Sequence, residues 1–306
     1  MEKKLIYGNT VREQLMAGRL DKMHQFLLGE GQMRGVILHA TKLVNEMRAN
    51  HETGILETLI LGYGYLGALL LSSNLKNTER TVLSITCDGP VTGISVEANA
   101  FGEVRGYLKV RHIPVTGPVD GLDLAPFFGN GILSVTRFPE NQKQPFTGNV
   151  KLSGGSLAFN LARYSLESEQ VPSSYSLSVH FDREGKVTGA GGLLVQAMPG
   201  ADPELVEELA GEVAGLPKIG KEFADEVSAT GYVLAHLAKY NPEFVADRRV
   251  DFMCHCNRDR FYKFLGAISP QELADIAAHG PFPVVLTCHN CNTNYSFTKE
   301  EVEKLI

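Results

Sequence analysis

Tryptophan is absent from the 306 residues, cysteine occurs only five times, and the 29 Lys and Arg fall short of the 35 Asp and Glu, for a formal net charge of -6. That acidic balance lacks the electrostatic footprint that binding to a nucleic-acid backbone requires, so no nucleic-acid partner is expected. No Gly-x-x-x-x-Gly-Lys-Ser/Thr loop occurs, which removes the P-loop route to nucleotide hydrolysis. Near the N-terminus, Arg12 and Glu13 intervene before an apolar run of signal-peptide length develops, and the cytoplasm is the expected compartment. Long apolar runs are scarce as well. Thr58 to Leu75 carries no charge, but Gly62, Gly64 and Gly67 interrupt it, Ser72-Ser73-Asn74 closes it, and it barely reaches the roughly 17–20 residues of a bilayer span. A buried core helix is expected there, and no membrane partner.

What is present reads as a soluble α+β chain in two domains with a connection between them. From Glu13 to Met47 apolar residues recur at helical spacing, as in Val36, Leu38, Leu43, Val44 and Met47, so helices are expected to open the chain. Strands are expected at 81–87, 93–96, 106–110, 132–136, 148–152, 176–181 and 190–197, with a helix over 156–169. The first domain thus occupies 1–199. From Asp202 to Glu226 there are eight acidic and two basic side chains, with Gly211, Gly215, Gly220 and Pro217 among them. Gly costs a helix about 1 kcal/mol relative to Ala and Pro about 3, so a linker of short, poorly anchored helices is expected over 200–245. A last domain fills 246–306.

Four of the five cysteines lie in that last domain, as Cys254-His255-Cys256 and Cys288-His289-Asn290-Cys291, separated by 31 residues. Two close thiol pairs on separate segments suit a tetrahedral zinc site, each loop supplying two corners. The flanking sequence fits: Ser269-Pro270-Gln271-Glu272 is a capping box before a helix that stops at Gly280. Val284–Thr287 and 294–297 read as the strands of a hairpin with the second pair in its turn, and Thr298 to Glu301 caps a last short helix. A domain of this size is marginal without a staple, and structural zinc contributes roughly 10–16 kcal/mol in zinc-finger peptides. Reduced structural thiols and two ordinary disulfides are the competing readings. Four thiolates would leave no open coordination position for a catalytic water, and Lys and Arg number seven against eight Asp and Glu over 247–306, so neither a hydrolytic zinc enzyme nor a nucleic-acid zinc ribbon is expected. His255 and His289 are expected to point away from the ligands. The spacing also permits a switch. A sulfenic acid formed on one sulfur finds a resolving thiol on its own loop, and oxidation to two local disulfides would release the metal. Arg258, Arg260 and Lys263 follow the first pair, as aids to the thiolate or as plain solvated charges. Cys87 is expected to pack as a small apolar side chain, and Arg105 to be either a surface charge or the partner of a buried carboxylate such as Glu169.

The chain resembles the heat shock protein 33 family of redox-regulated molecular chaperones. The resemblance rests on Cys254-x-Cys256 with Cys288-x-x-Cys291, and on Cys87-Asp88-Gly89-Pro90, Val104-Arg105-Gly106-Tyr107, Ser168-Glu169-Gln170-Val171-Pro172 and the run from Gly191 to Gly200, in that order. It implies an α+β core domain, a helical linker and a C-terminal zinc domain, with one Zn2+ per chain on Cys254, Cys256, Cys288 and Cys291. It further implies disulfides 254–256 and 288–291 in the oxidised state, no enzymatic activity, an ATP-independent holdase active on oxidation, unfolded proteins as clients and a homodimer when active. A zinc-stabilised adaptor for a fixed protein partner, and a thiol oxidoreductase, are the alternatives; the second lacks the βαβ setting such enzymes favour.

Overall fold

A computed structural model describes residues 1–8, 18, 20–115, 124–141, 144–154 and 156–306. The helical opening expected from Glu13 is corrected over most of its length, and its first residues, 13–17, lie outside the described ones. Lys22–Leu28 and Met33–His39 are antiparallel strands β1 and β2, and among the described residues from Lys22 to His51 the helix is Thr41–His51, α1. The physical reason is burial on both faces. β2 runs between β1 and a later strand with layers above and below, so Met33, Val36, Ile37 and Leu38 are all buried and no polar alternation marks the strand.

The uncharged run forms α2, Ile55–Leu71, followed by a 3-10 turn at Ser72–Asn74. It is long and apolar enough for a membrane, yet 83% of that stretch is buried inside the protein. A helix apolar all round is a core helix, and its glycines show how it is enclosed. A Cβ on Gly62 would lie 3.3 Å from Val179, one on Gly64 2.8 Å from Ile94, and one on Gly67 2.8 Å from Leu161, so three different neighbours close on the bare backbone.

The strands that follow are β3 (Arg80–Cys87), β4 (Gly93–Asn99) and β5 (Glu103–Leu108); then come short α3 (Ala125–Phe128), β6 (Gly131–Phe138), β7 (Phe146–Lys151), α4 (Leu157–Glu167), β8 (Ser173–Phe181) and β9 (Val187–Ala197). Leu83, Ile85, Ile94, Val96, Leu133 and Val135 face α2, while Ser134 and Thr136 face outward and bond to Asn149 and Thr147, the alternation expected of a half-exposed antiparallel sheet. Cys87 ends β3 half-buried.

After β9 come α5 (Pro203–Gly215), α6 (Ile219–Ala224) and α7 (Ala229–His236), then β10 (Glu243–Arg249) and β11 (Asp251–Phe252). The last segment holds α8 (Arg258–Leu265), α9 (Pro270–His279), β12 (Val284–Thr287), β13 (Asn294–Phe297) and α10 (Lys299–Glu303), with both capping boxes formed as the sequence suggests. Among the described residues three sheets result, ordered β10-β1-β2-β9-β8, β11-β5-β4-β3-β6-β7 and β12-β13. The first two sandwich α1, α2 and α4, an α+β core. β10 and β11 are edge strands, one on each large sheet, so the chain crosses both sheets before reaching the cysteines.

The far face of the first sheet carries Phe26, Leu28, Met33, Ile37, Leu193 and Val195, and α5–α7 cover it with Leu209, Val213, Ile219, Phe223, Tyr232, Val233 and Leu237. Not all the glycines here are weak points. A Cβ on Gly189 would stand 1.9 Å from the Gly220 carbonyl oxygen, so α6 seats directly on β9 because neither residue has a side chain. Gly211 and Gly215, by contrast, face open space.

Candidate metal centre

The first cysteine pair hangs from the edge of the core. Asp251 and Phe252 pair in parallel with Glu103 and Val104, and the Met253 amide donates to the Val104 carbonyl at 3.0 Å. Phe252 is fully buried, with ring centroids 6.0 Å from Tyr65 and 6.2 Å from His51. That anchor fixes where Cys254 and Cys256 emerge, and Asn257 then caps α8 through its side chain. The second pair occupies the turn between β12 and β13. The Cys288 amide donates to the Thr293 carbonyl at 2.9 Å, and the Asn292 amide to the Cys288 carbonyl at 2.7 Å, with Asn292 left-handed at φ 54°.

The two loops face each other so that all four sulfurs lie within 4.8 Å of one another. All four cysteines are free thiols and buried, Cys256 and Cys288 the most accessible at 6%. Across the loops, Cys254 and Cys288 sulfurs are 3.8 Å apart and Cys256 and Cys291 3.4 Å. A zinc ion with ligands at about 2.3 Å has tetrahedral edges of about 3.8 Å, so the donor set fits zinc in number, softness and spacing. Electrostatics point the same way. Hydrogen bonds from the Cys288 and Cys291 thiols, aided by Arg105, hold Cys254 far below the usual thiol range. The same bond to Cys254 pushes Cys288 far up and Cys291 up to about 11. A thiolate on Cys254 thus disfavours a second on Cys288 or Cys291. A dication would remove that penalty.

The surrounding donors were only partly legible. Arg105 bonds to Glu97, at 2.8 Å and 3.1 Å, and its Nη1 lies 3.6 Å from Cys254 Sγ. Glu169 is not its partner; that carboxylate accepts from Arg137 Nε at 3.0 Å and Tyr164 at 3.1 Å. The Tyr295 hydroxyl donates to Cys256 Sγ at 3.1 Å. His255 turns outward to Glu103 at 2.7 Å, and His289 lies against the Tyr107 ring at 5.6 Å. Arg258 is engaged with Glu301 and the Ser296 carbonyl, and Arg260 lies over Phe264. The guanidinium that reaches a sulfur therefore comes from β5 of the core, brought there by docking that sequence spacing cannot display. A groove of about 720 Å³, lined by Arg105, Cys254, Cys288, Arg260 and Phe264, leads from solvent to the cluster.

Comparison with known proteins adds relatives over nearly the whole length. Residues 21–298 match a family model described as Hsp33 protein. A 33 kDa chaperonin of Thermus thermophilus is 37% identical over 297 residues, covering 92% of this chain and 85% of that one. The protein of the same name from Geobacillus sp. (strain WCH70) is 31% identical over 287 residues, covering 93% and 97%. Among solved structures, the crystal structure of the 33 kDa chaperonin of Thermotoga maritima superposes with a TM-score of 0.85 at 30% identity, covering 94% of this chain and 98% of that one.

Proposed function

Since the chain belongs to the Hsp33 family and that family indicates a chaperone, we propose that it is a cytoplasmic, ATP-independent holdase whose activity is switched by oxidation of Cys254, Cys256, Cys288 and Cys291. The observation that carries the proposal is the convergence of those four buried sulfurs on one point, reached by a groove from solvent.

In the reduced state the four cysteines hold one Zn2+ per chain. Zinc, when bound, balances the thiolate charge and ties the β11–α8 loop to the β12–β13 hairpin. Arg105 donates to one of the sulfurs and so joins the module to the core sheet. Oxidation removes these ties. Each disulfide forms as a pair of thiolates gives two electrons to one peroxide, which takes up two protons from solvent and leaves as two waters. Because every sulfur lies within 4.8 Å of the others, distance in the reduced cluster does not choose the partners. Chain reach does: once the loops part, Cys254 still has Cys256 beside it, and Cys288 has Cys291. Bonds 254–256 and 288–291 leave the loops unlinked.

The module over 246–306 then loses its staple, and the disturbance passes through β11 and β10 to the linker, 200–245. Its helices are short and hold by packing rather than by intrinsic propensity. Lifting them from the core domain, 1–199, uncovers Phe26, Leu28, Met33, Ile37, Leu193 and Val195, a contiguous apolar face suited to unfolded clients. The active form is a homodimer, and neither catalysis, nucleic acid nor a membrane enters its action. The test uses reduced, zinc-loaded protein and protein treated with peroxide under mild heat. One zinc per chain should be released to a chromogenic chelator as light-scattering assays show suppressed aggregation of several unrelated clients. Zinc release without suppression would replace the chaperone by a zinc-stabilised adaptor.

A further inference from the structure

The first four residues lie where the cysteine module meets the core. The Met1 nitrogen donates to the Cys256 carbonyl at 2.9 Å, and Met1 Sδ accepts from the Cys254 amide at 2.9 Å. Glu2 donates its amide to Thr293 Oγ1 at 3.2 Å, so this short segment bonds to both cysteine loops. On its other side it is fastened to α1. Lys3 Nζ bridges Glu46 of α1 at 2.7 Å and Asp251 of β11 at 2.6 Å.

Asn50 locks the junction. It is 2% exposed and sits in the last turn of α1. Its Nδ2 donates to the Glu2 carbonyl at 2.8 Å and to the Cys291 carbonyl at 3.1 Å, and its Oδ1 accepts from the Lys4 amide at 3.0 Å. Its main-chain carbonyl accepts from Asn292 Nδ2 at 2.9 Å. One buried amide thereby satisfies three segments at once: the N-terminal strap, the core helix and the second cysteine loop. Removing the strap would leave Glu46 without its ammonium partner and two of the Asn50 bonds unmade in a buried seam, which is costly.

We propose that Met1–Lys4 form an intramolecular clasp that keeps the cysteine module docked on the core and so sets how much oxidation is needed to release it, an inference that rests on the redox-switch function above. The surface receiving the clasp is acidic at Glu46 and Asp251 and offers the Cys254 amide, the Cys256 carbonyl and the Thr293 hydroxyl. It fits an extended segment with an ammonium at its third side chain, and this chain's own residues 1–4 supply that.

The test uses the full chain, reduced and zinc-loaded. Lys3→Glu sets a third carboxylate against Glu46 and Asp251, and Lys3→Glu with Asp251→Lys restores the pairing in reverse. Hydrogen exchange over residues 251–297 should quicken roughly ten-fold in the single variant and return to the starting rate in the double one. The peroxide concentration for half release of zinc should fall and recover in parallel, with exchange in α2 unchanged throughout as the sign of an intact core. Asn50→Ala, which breaks the same seam without altering charge, should also quicken exchange. Unchanged exchange in Lys3→Glu, or quickened exchange that the double variant leaves in place, overturns the clasp. Exchange is read without any client, so a failed aggregation assay on oxidised wild-type protein would sink the chaperone function and leave the clasp standing.

Discussion

If opening of the linker gates activity, stabilising its helices should raise the threshold. Gly211 and Gly215 on α5 are exposed, have ordinary negative φ and would meet nothing within 4 Å if given a Cβ. Ala at these positions therefore adds helix propensity with no steric cost, the reverse of Gly189 and Gly220. An interior Gly→Ala is worth about 0.9 kcal/mol, and one at the last position of the helix about half that, for about 1.4 kcal/mol in the double variant. That corresponds to a ten-fold drop in the open fraction of the linker. Native-state hydrogen exchange of reduced Gly211→Ala/Gly215→Ala protein should show amides of 203–224 exchanging about ten-fold more slowly. The same protein should need more oxidant or a higher temperature to reach half-maximal suppression of client aggregation. Slowed exchange with an unchanged threshold would refute linker opening as the gate. Unchanged exchange would refute the claim that α5 limits the stability of the linker.

Other outcomes follow from the centre. Cys254→Ser should lower zinc affinity at least about 100-fold and expose 254–306 to protease without oxidant; full zinc content after dialysis against a chelator would contradict the ligand set. Arg105→Gln leaves Glu97 paired with Arg80 at 2.7 Å but removes the donor to Cys254. Zinc transfer to a chelator should quicken about ten-fold, and an unchanged rate would show that Arg105 is bystander charge. Burial holds the His51 imidazole down to about 4 among the backbones of Asn290 and Gly106. The docked state keeps it neutral, whereas the released state titrates near 6.5, so docking loses stability as pH falls from 6.5 towards 4. The slope is about 1.4 kcal/mol per pH unit, or about 2 kcal/mol by pH 5. Thermal melts of the module should flatten over that range in His51→Gln, and parallel profiles would exclude this histidine as the source.

The cysteine cluster was largely legible because its signal is local: Cys254, Cys256, Cys288 and Cys291 declare themselves by spacing, and the helices after Ser269 and Thr298 by capping. Arg105, Tyr295 and Met1 were not, since each reaches the cysteines only after distant parts of the chain have docked. The fold shows the same divide. β3, β4, β6 and β7 carry one polar and one apolar face and were expected from alternation, with edges displaced by a few residues. β2 is buried on both faces and imitates helical spacing. β10 is the opposite case, exposed along nearly all of Glu243–Arg249: Phe244 and Val245 are adjacent and set no alternation, and its place comes from backbone pairing with β1.

Those edge pairings bear on how the linker behaves once lifted. The segment 198–242 leaves from β9 and returns to β10, and both strands belong to the same sheet with β1 and β2 between them. At about 4.8 Å per strand its ends are pinned roughly 15 Å apart. A melted linker is therefore a loop and not a tail. The cost of closing such a loop grows only with the logarithm of its length, so holding both ends takes little from the gain in freedom on melting. It also keeps every displaced side chain within reach of the face it left. Redocking is then a first-order event, independent of protein concentration, and a client on the exposed sheet competes with a cover that never diffuses away.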